Sequence, residues 1–315
     1  MSNSASSTRS TEGSEQSVPH LDRAAAQRWL KQTRRNSPWL NEEAAARLLD
    51  RLACIKGVPQ TWVNWGPAWG GLLAHQTLLE QWPGSTAYAV DIEGMALDAH
   101  GGGQAKSTRW NPLNWLASKS APLAAQPPEN TVDIVWANML LHLAHQPQTL
   151  LRQWQRLLKV GGFVMFSGLG PDTLKELRQV HQAMGWPEPM HPLTDMHDWG
   201  DMLVELGFSE PVMDVDRFKL TYPSAERMLQ DLREWGRNLH DERFPALRAR
   251  AWRSRWIQAV EQHGARNTEG HLTLSVEMVF GHAIKTLPKM AVAPELVVGL
   301  DEMREQLRSA RTRPS

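Results

Sequence analysis

Apolar positions in residues 131–174 change period twice, and that change is the most informative pattern in the chain. Val132, Ile134, Val135 and Ala137 form a short, nearly continuous apolar run ending at Asn138, as in a strand covered on both faces. Leu150, Leu151, Trp154, Leu157 and Leu158 then recur at helical spacing. Gly161 and Gly162 are expected to stop that helix, and Phe163 to Phe166 read as a second apolar strand. Strand, helix and strand in so short a span imply a parallel, right-handed crossover. Such sheets bind ligands beyond the carboxyl ends of their strands, which puts Asn138 and Ser167 at the expected site.

The same reading extends in both directions. Two helical patterns lie between Leu21 and Leu52, the second carrying Ala44, Ala45, Leu48, Leu49 and Leu52 behind an expected Asn41 cap. TWVNWGPAWGGLLAHQTLLEQW reads as strand, glycine turn and helix, and Ala87 to Val90 as a strand closed by Asp91. Residues 94–130 lose all periodicity, which is long for a bare connection, so a short strand such as Lys106 to Trp110 is expected there. Further on, Pro171-Asp172-Thr173 opens a helix, and Thr194 or Asp195 caps another that runs to Leu206 and Gly207. VMDVDRFKLTY and HLTLSVEMVFGHAIK alternate as strands. Between them Ser224 caps a helix with Met228, Leu229, Leu232 and Trp235 on one face. Two alternating strands after a parallel core predict an antiparallel edge hairpin whose connection has grown into helices.

Composition narrows the setting. The 315 residues can bury a sizeable core. Lys+Arg and Asp+Glu both number 34, so no overall field favours nucleic acid or membrane as a partner. The short basic stretch Lys31, Arg34, Arg35 reads as a solvated helix face. A single cysteine, Cys54, excludes an intrachain disulfide and suits a reducing cytoplasm. Neither a membrane-length apolar run nor a signal-peptide core is visible. Fifteen tryptophans against two tyrosines suggest an indole-rich core. His191, Asp195 and His197 match no zinc spacing and read as a turn into a helix cap, so no metal is expected. GLGPD lacks the nucleophile of a Gly-x-Ser-x-Gly elbow, and hydrolase chemistry is not expected.

Several segments together resemble a known family: VDIVWANMLLHL, LLKVGGFVMFSGLGPDTLKELR, HPLTDMHDWGDMLVELGFSEPVMDVDRFKLTYP and VEMVFGHA, in order over residues 131–285, with LDRAAA at 21–26 similar to an N-terminal arm. The layout is similar to class I S-adenosylmethionine-dependent methyltransferases, and more specifically to the malonyl-acyl-carrier-protein O-methyltransferases of biotin synthesis. An arginine-hydroxylating assembly factor of mitochondrial complex I, with the same fold, also looks similar here. The resemblance implies an α/β, three-layer Rossmann-like fold: a mostly parallel sheet with an antiparallel edge hairpin and a helical insertion. It divides the chain into a disordered tail (1–18), a helical arm (19–54), the α/β domain (55–285, with the insertion at 224–265) and a helical tail (286–315).

It also implies a cofactor, S-adenosylmethionine, and an acceptor, the free carboxylate of a malonyl thioester on an acyl-carrier protein. The family loop reads acid-x-Gly-x-Gly-x-Gly. Here Asn64 stands for the acid, Gly66 and Gly70 remain, Ala68 replaces the middle glycine, and Trp69 follows it. Exchanging a carboxylate for an amide forfeits a charged hydrogen bond of about 1.5–3 kcal/mol. The expected cofactor-binding residues are Asn64, Gly66, Gly70, Asp91 and Asn138, with Asp91 receiving the ribose hydroxyls. His142, just beyond Asn138, reads as a packed or surface residue. A carboxylate acceptor is ionised near neutral pH and needs orientation, not a base; Arg23 in the arm is the expected orienting cation. The arginines of 224–265, including Arg233, Arg237 and Arg253, are candidates for covering the pocket and meeting an acidic carrier. The alternative reading is a catalytically inactive paralogue that keeps the fold and binds a partner.

Overall fold

The computed structural model describes residues 20–30, 36–91, 127–244 and 250–287. The tail 1–18, the basic stretch at 31–35, the candidate strand Lys106 to Trp110 and the C-terminal helix expected within 286–315 fall outside them, apart from residues 286 and 287. In the described part, helices α1 (Arg23–Leu30) and α2 (Trp39–Leu52) precede β1 (Thr61–Trp65), a single helical turn α3 (Pro67–Gly70), α4 (Leu72–Gln81) and β2 (Thr86–Val90). Then follow β3 (Val132–Ala137), α5 (Pro147–Leu157), β4 (Leu158–Leu169), α6 (Lys175–Ala183), α7 (Met196–Glu205), β5 (Phe208–Tyr222), α8 (Ala225–Trp235), α9 (Arg250–His263) and β6 (Leu272–Lys285).

The six described strands lie in the order β2-β1-β3-β4-β6-β5. The first four are parallel; β6 runs antiparallel to both β4 and β5. The expected crossover and edge hairpin are therefore present, with α8 and α9 filling the connection between β5 and β6. Strand alternation builds two cores. Val63, Trp65, Val135, Ala137 and Phe166 face α5 and α7, where Leu151, Trp154 and Trp199 are buried. Trp62, Ile134, Trp136 and Met165 point to the opposite face, against Leu40, Leu48 and Leu78 of α2 and α4. A third cluster joins α6, α8 and α9 to the far ends of β5 and β6 through Leu177, Met228, Trp256, Tyr222 and Leu272. No described helix is long and apolar enough to cross a membrane.

Three boundaries differ from the sequence reading. The crossover helix ends at Leu157, before the glycines, because Leu158 already pairs with Val132; the extra residues are absorbed by a register shift, with Gly161 at φ +83°. The helix after Pro171 starts four residues later, since Leu174 adopts a left-handed backbone and its amide bonds to Ser275. Asn41 is no cap. It lies inside α2, which Pro38 precedes, and its side chain is buried. Asp195, by contrast, caps α7 by accepting from His197 N at 2.8 Å.

Trp154 of α5 meets Trp65 edge-to-face at 6.0 Å and is fully buried, so it couples the crossover helix to the strand that leads into the loop. Trp154→Ala should cost about 3–5 kcal/mol, read as a lowered urea midpoint at unchanged slope. A loss under about 1 kcal/mol would show that the crossover is held elsewhere.

Candidate functional site

The carboxyl ends of β1, β3 and β4 meet at one place, and a web of buried polar side chains ties them together. Asn138, directly after β3, donates from Nδ2 to the Asn41 carbonyl at 2.7 Å and to the Gly70 carbonyl, and its Oδ1 accepts from Ser167 of β4. Ser167 Oγ in turn accepts from Met139 N at 3.1 Å. Asn41 Nδ2 donates to the Trp69 carbonyl at 2.8 Å, and the Trp69 indole donates to the Met139 carbonyl at 2.8 Å. The loop at 66–71 is thus fastened to α2, β3 and β4 at once.

Glycine is needed at two loop positions for different reasons. Gly66 sits at φ +70°, the left-handed turn out of β1. Gly70 leaves no room for a side chain, because a Cβ there would stand 2.7 Å from the Asn138 carbonyl oxygen. Asn64 turns inward: its Nδ2 lies 3.0 Å from His75 Nδ1 and the side chain is buried. Burial lowers His75 to about 4, so the imidazole is neutral and can accept that bond.

A glycine-rich turn binds an anionic or zwitterionic ligand through free N–H groups. Here most of those groups are taken. Trp69 N and Gly70 N donate to the Gly66 carbonyl, Gly71 N to Pro67, Leu72 N to Ser37 Oγ at 3.1 Å, and Leu73 N to a Glu42 carboxylate oxygen at 3.2 Å. Asp91 stands level with Gly66 at the end of β2, partly buried, where Gly66 N bonds to the Val90 carbonyl. S-adenosylmethionine therefore has a candidate ribose partner in Asp91, while its methionine end fits this loop only once the loop opens and frees those amides.

Beside the loop lies a cavity of about 160 Å³, walled by Trp29, Trp69, His142, Thr173, His191 and Arg237 among others. It contains the only described cation of that wall, Arg237, and no carboxylate. The guanidinium lies 4.8 Å above the Trp29 ring, whose indole meets Trp69 edge-to-face at 5.8 Å. Its Nη1 donates to the carbonyls of Arg233 and Gly236 at 2.7 and 2.9 Å. Burial and the neighbouring Arg233 charge push it below its ordinary pKa, yet a guanidinium remains protonated. Arg23 opens α1, is exposed, and is not among the residues of the cavity wall.

The arm still shapes the cavity, because it carries Trp29. Asp22 pairs with Arg243 at 2.7 Å, Leu21 bridges His240, and the His20 and His240 rings stack at 5.1 Å beside Asp241. His142 and His191 are both buried. His191 Nε2 donates to the His142 carbonyl at 3.1 Å, and His142 Nδ1 accepts from Leu169 N. Burial, with a further push from His191, lowers His142 to about 3; burial also lowers His191. Sequence reasoning placed Asn138, Ser167 and Asp91 at the site and named Arg237 among several arginines that could cover the pocket, but it read Asn41 as a helix cap. The role of Asn41 depends on three elements converging, and Arg237 is one of many arginines in its segment.

Comparisons with known proteins give the family. The profile described as "Methyltransferase domain" matches residues 66–164. A malonyl-[acyl-carrier protein] O-methyltransferase of Gallionella capsiferriformans is 34% identical over 262 residues, covering 80% of this chain and 86% of that protein. One from Nitrosospira multiformis is 33% identical, covering 80% and 85%. A crystal structure of a putative methyltransferase from Bacillus halodurans matches 77% of this chain and 99% of its own at 16% identity, with a TM-score of 0.43. The fold, the matched profile and these relatives define a Rossmann-like methyltransferase. Within that class, the chain belongs to the malonyl-[acyl-carrier protein] O-methyltransferase family.

The two buried histidines have a measurable consequence. Each is neutral when folded and must charge on unfolding in acid, so its stabilisation is complete above about pH 6.5 and is lost as pH falls toward its depressed folded value. Urea midpoints should drop from about pH 7 to about pH 5, and His142→Asn should flatten that drop by up to about 1.4 kcal/mol per pH unit. An unchanged pH slope in the variant would mean that His142 is already protonated in the folded chain.

Proposed function

We propose that this chain is a cytoplasmic, S-adenosylmethionine-dependent O-methyltransferase acting on the free carboxylate of a malonyl thioester carried by an acyl-carrier protein. The observation that carries the acceptor side is the cavity wall: one cation, no carboxylate, two neutral histidines, and otherwise mainly apolar side chains with Thr173 and Asn238. Such a wall receives an anionic acyl group and would repel none of its charge. S-adenosylmethionine supplies the methyl group when bound. The chain's own residues orient the acceptor, and Arg237 is placed to hold the carboxylate. The guanidinium's position over Trp29 and its bonds to backbone carbonyls leave Nε and Nη2 without a partner among the described residues. Two such donors match the two oxygens of a carboxylate. Arg23, from the arm, remains the alternative orienting cation.

One observation favours a second reading, a catalytically inactive paralogue that binds a partner. The loop amides from Trp69 to Leu73 are satisfied by the protein itself, and Trp69 fills the space beside Trp29 and Met139. Calorimetric titration of the full chain with S-adenosylmethionine and S-adenosylhomocysteine separates the two. Methyl transfer requires heat of binding at millimolar ligand or below; its absence rejects methyl transfer and leaves the paralogue. Trp69→Gly should tighten that binding by about tenfold, the worth of one relieved obstruction of about 1.4 kcal/mol. An unchanged affinity would show that the indole does not stand in the ligand's way.

With binding established, the ester product of a malonyl thioester can be followed by mass. Arg237→Ala should raise KM by tenfold or more, the loss of a charge-assisted bond of about 1.5–3 kcal/mol, with kcat less affected. A larger KM effect from Arg23→Ala than from Arg237→Ala would assign the orienting role to Arg23.

A further inference from the structure

His20 and Asp241 are 221 residues apart in sequence, yet the start of the arm and the loop after α8 are paired along their backbones. Asp22 N donates to the Leu239 carbonyl at 2.8 Å and Asp241 N to the His20 carbonyl at 2.9 Å, across the Leu21–His240 bridge. Arg243 closes the same contact, with Nη2 on Asp22 and Nη1 on the His240 carbonyl, both at 2.7 Å. This pairing accounts for the backbone. It does not account for the side chains that it brings face to face. Among the described residues, His20, His240 and Asp241 form the one group of three whose ligand atoms all lie within 4.8 Å of one another. Asp241 Oδ1 is 3.2 Å from His20 Nδ1 and 3.1 Å from His240 Nδ1. Around a tetrahedral ion with bonds of about 2.0–2.1 Å, neighbouring ligand atoms stand about 3.3–3.4 Å apart. The carboxylate oxygen is therefore already at ligand spacing from both rings.

Hydrogen bonding leaves part of that closeness unexplained. Glu242 N donates to His240 Nδ1 at 3.0 Å and to Asp241 Oδ1 at 2.8 Å, so one hydrogen serves two acceptors. His240 Nδ1 thus turns a lone pair toward a carboxylate oxygen, on a side chain only 7% exposed. Two facing acceptors repel, and a cation between them converts the repulsion into two bonds. His20 completes the group from the arm. Its ring stacks on His240 at 5.1 Å and is half-exposed, so it is free to tilt out of the stack and aim Nδ1 at an ion. We infer that His20, His240 and Asp241 bind a divalent transition-metal ion of the zinc type, which staples the arm to the loop after α8. Two imidazoles and one carboxylate suit such an ion, whereas Mg²⁺ and Ca²⁺ prefer oxygen ligands. The staple bears on the cavity beside it. Leu239, next to His240, and Trp29, from the arm, both line that cavity, so fixing the arm holds Trp29 beneath Arg237.

The test is calorimetric titration of the full, chelator-treated chain with Zn²⁺, with Mg²⁺ as the comparison ion. Zn²⁺ should bind and Mg²⁺ should not. His20→Ala removes a half-exposed side chain, and Asp241→Asn keeps an acceptor for the Glu242 amide. Each should weaken Zn²⁺ binding about a hundredfold, since even groups that only support metal ligands contribute about 10–100-fold. His197→Ala removes another exposed histidine, paired with Asp195, and should leave the affinity unchanged. The staple itself is read by limited trypsin digestion, following cleavage after the exposed Arg23. Zn²⁺ should slow that cut about tenfold in the wild-type chain and not in His20→Ala, because cleavage tracks the open fraction of the arm. Absence of Zn²⁺ binding, or binding that survives both His20→Ala and Asp241→Asn, overturns the site. Binding without protection at Arg23 overturns the staple. Circular dichroism of each metal-free variant excludes unfolding as the cause. None of these readouts involves a methyl donor or an acyl group, so the result stands apart from the activity proposed above.

Discussion

The amide of Asn138 holds the carboxyl edge of the sheet together. From one side chain it donates to α2 and to the loop after β1, and it accepts from β4 through Ser167. Each of these groups is buried, so each unmade bond would leave a polar atom without water, at about 1–3 kcal/mol apiece. That penalty makes the arrangement close to all-or-none. If Asn138 lets go of Gly70, the Asn41 and Trp69 bonds lose their geometry as well, because Asn41 is at once a partner of Asn138 and of the Trp69 carbonyl. The loop, the first turn of α2 and the ends of β3 and β4 therefore behave as one unit.

That unit divides the site into a closed half and an open one. On the closed side, Ser37 and Glu42 occupy the first amides of α4, and α3 satisfies its own. A carboxylate over a helix N-terminus is what a bound anion would provide, and here α2 provides it. On the open side, the arm lays Trp29 against Trp69, and Arg237 lies over Trp29. The indole of Trp69 is common to both halves, as a donor to Met139 in one and a wall of the cavity in the other. Contacts far apart in sequence, Asp22 with Arg243 and His20 with His240, keep that wall in place.

Much of this architecture was legible from periodicity alone. The switch from strand to helix to strand at 132–166 and the alternation at 212–222 and 272–285 pointed to the parallel core and its antiparallel edge; the edge strand β5 does alternate in burial, whereas β6, between β4 and β5, is buried along nearly its whole length. Local chemistry was legible where one residue acts on its own neighbours, as Asp195 and Ser224 do in capping helices. It was not legible where a residue serves a distant element. Asn41 looked like a helix cap, since a polar residue before an apolar stripe usually is one; its partner, Trp69, lies 28 residues away. The glycines at 161 and 162 looked like a helix stop, but pairing of Leu158 with Val132 had already ended the helix. Arg237 could not be told from its neighbours without knowing which helix end faces the cavity.

The closed loop also sets a scale for cofactor affinity. A ligand that needs the loop opened binds with its intrinsic affinity reduced by the fraction of molecules already open. If opening costs about 3 kcal/mol, the value of one or two buried polar groups left unpaired, the open fraction is below about one in a hundred. A micromolar ligand would then present as one of about a hundredfold weaker affinity. The replacement of the loop acid by Asn64, already committed to His75, removes a compensating contact from the same end of the molecule. Opening must be offset elsewhere, and the groups placed to do so are Asp91 at the end of β2 and Arg237 in the cavity wall. Occupancy of the acceptor half, which leans on Trp29 and hence on Trp69, is coupled through that shared indole to the state of the loop. On the acceptor reading proposed above, acceptor and donor binding would thus be linked through Trp69, with a sign set by whether the acceptor pushes the indole toward Met139 or away from it.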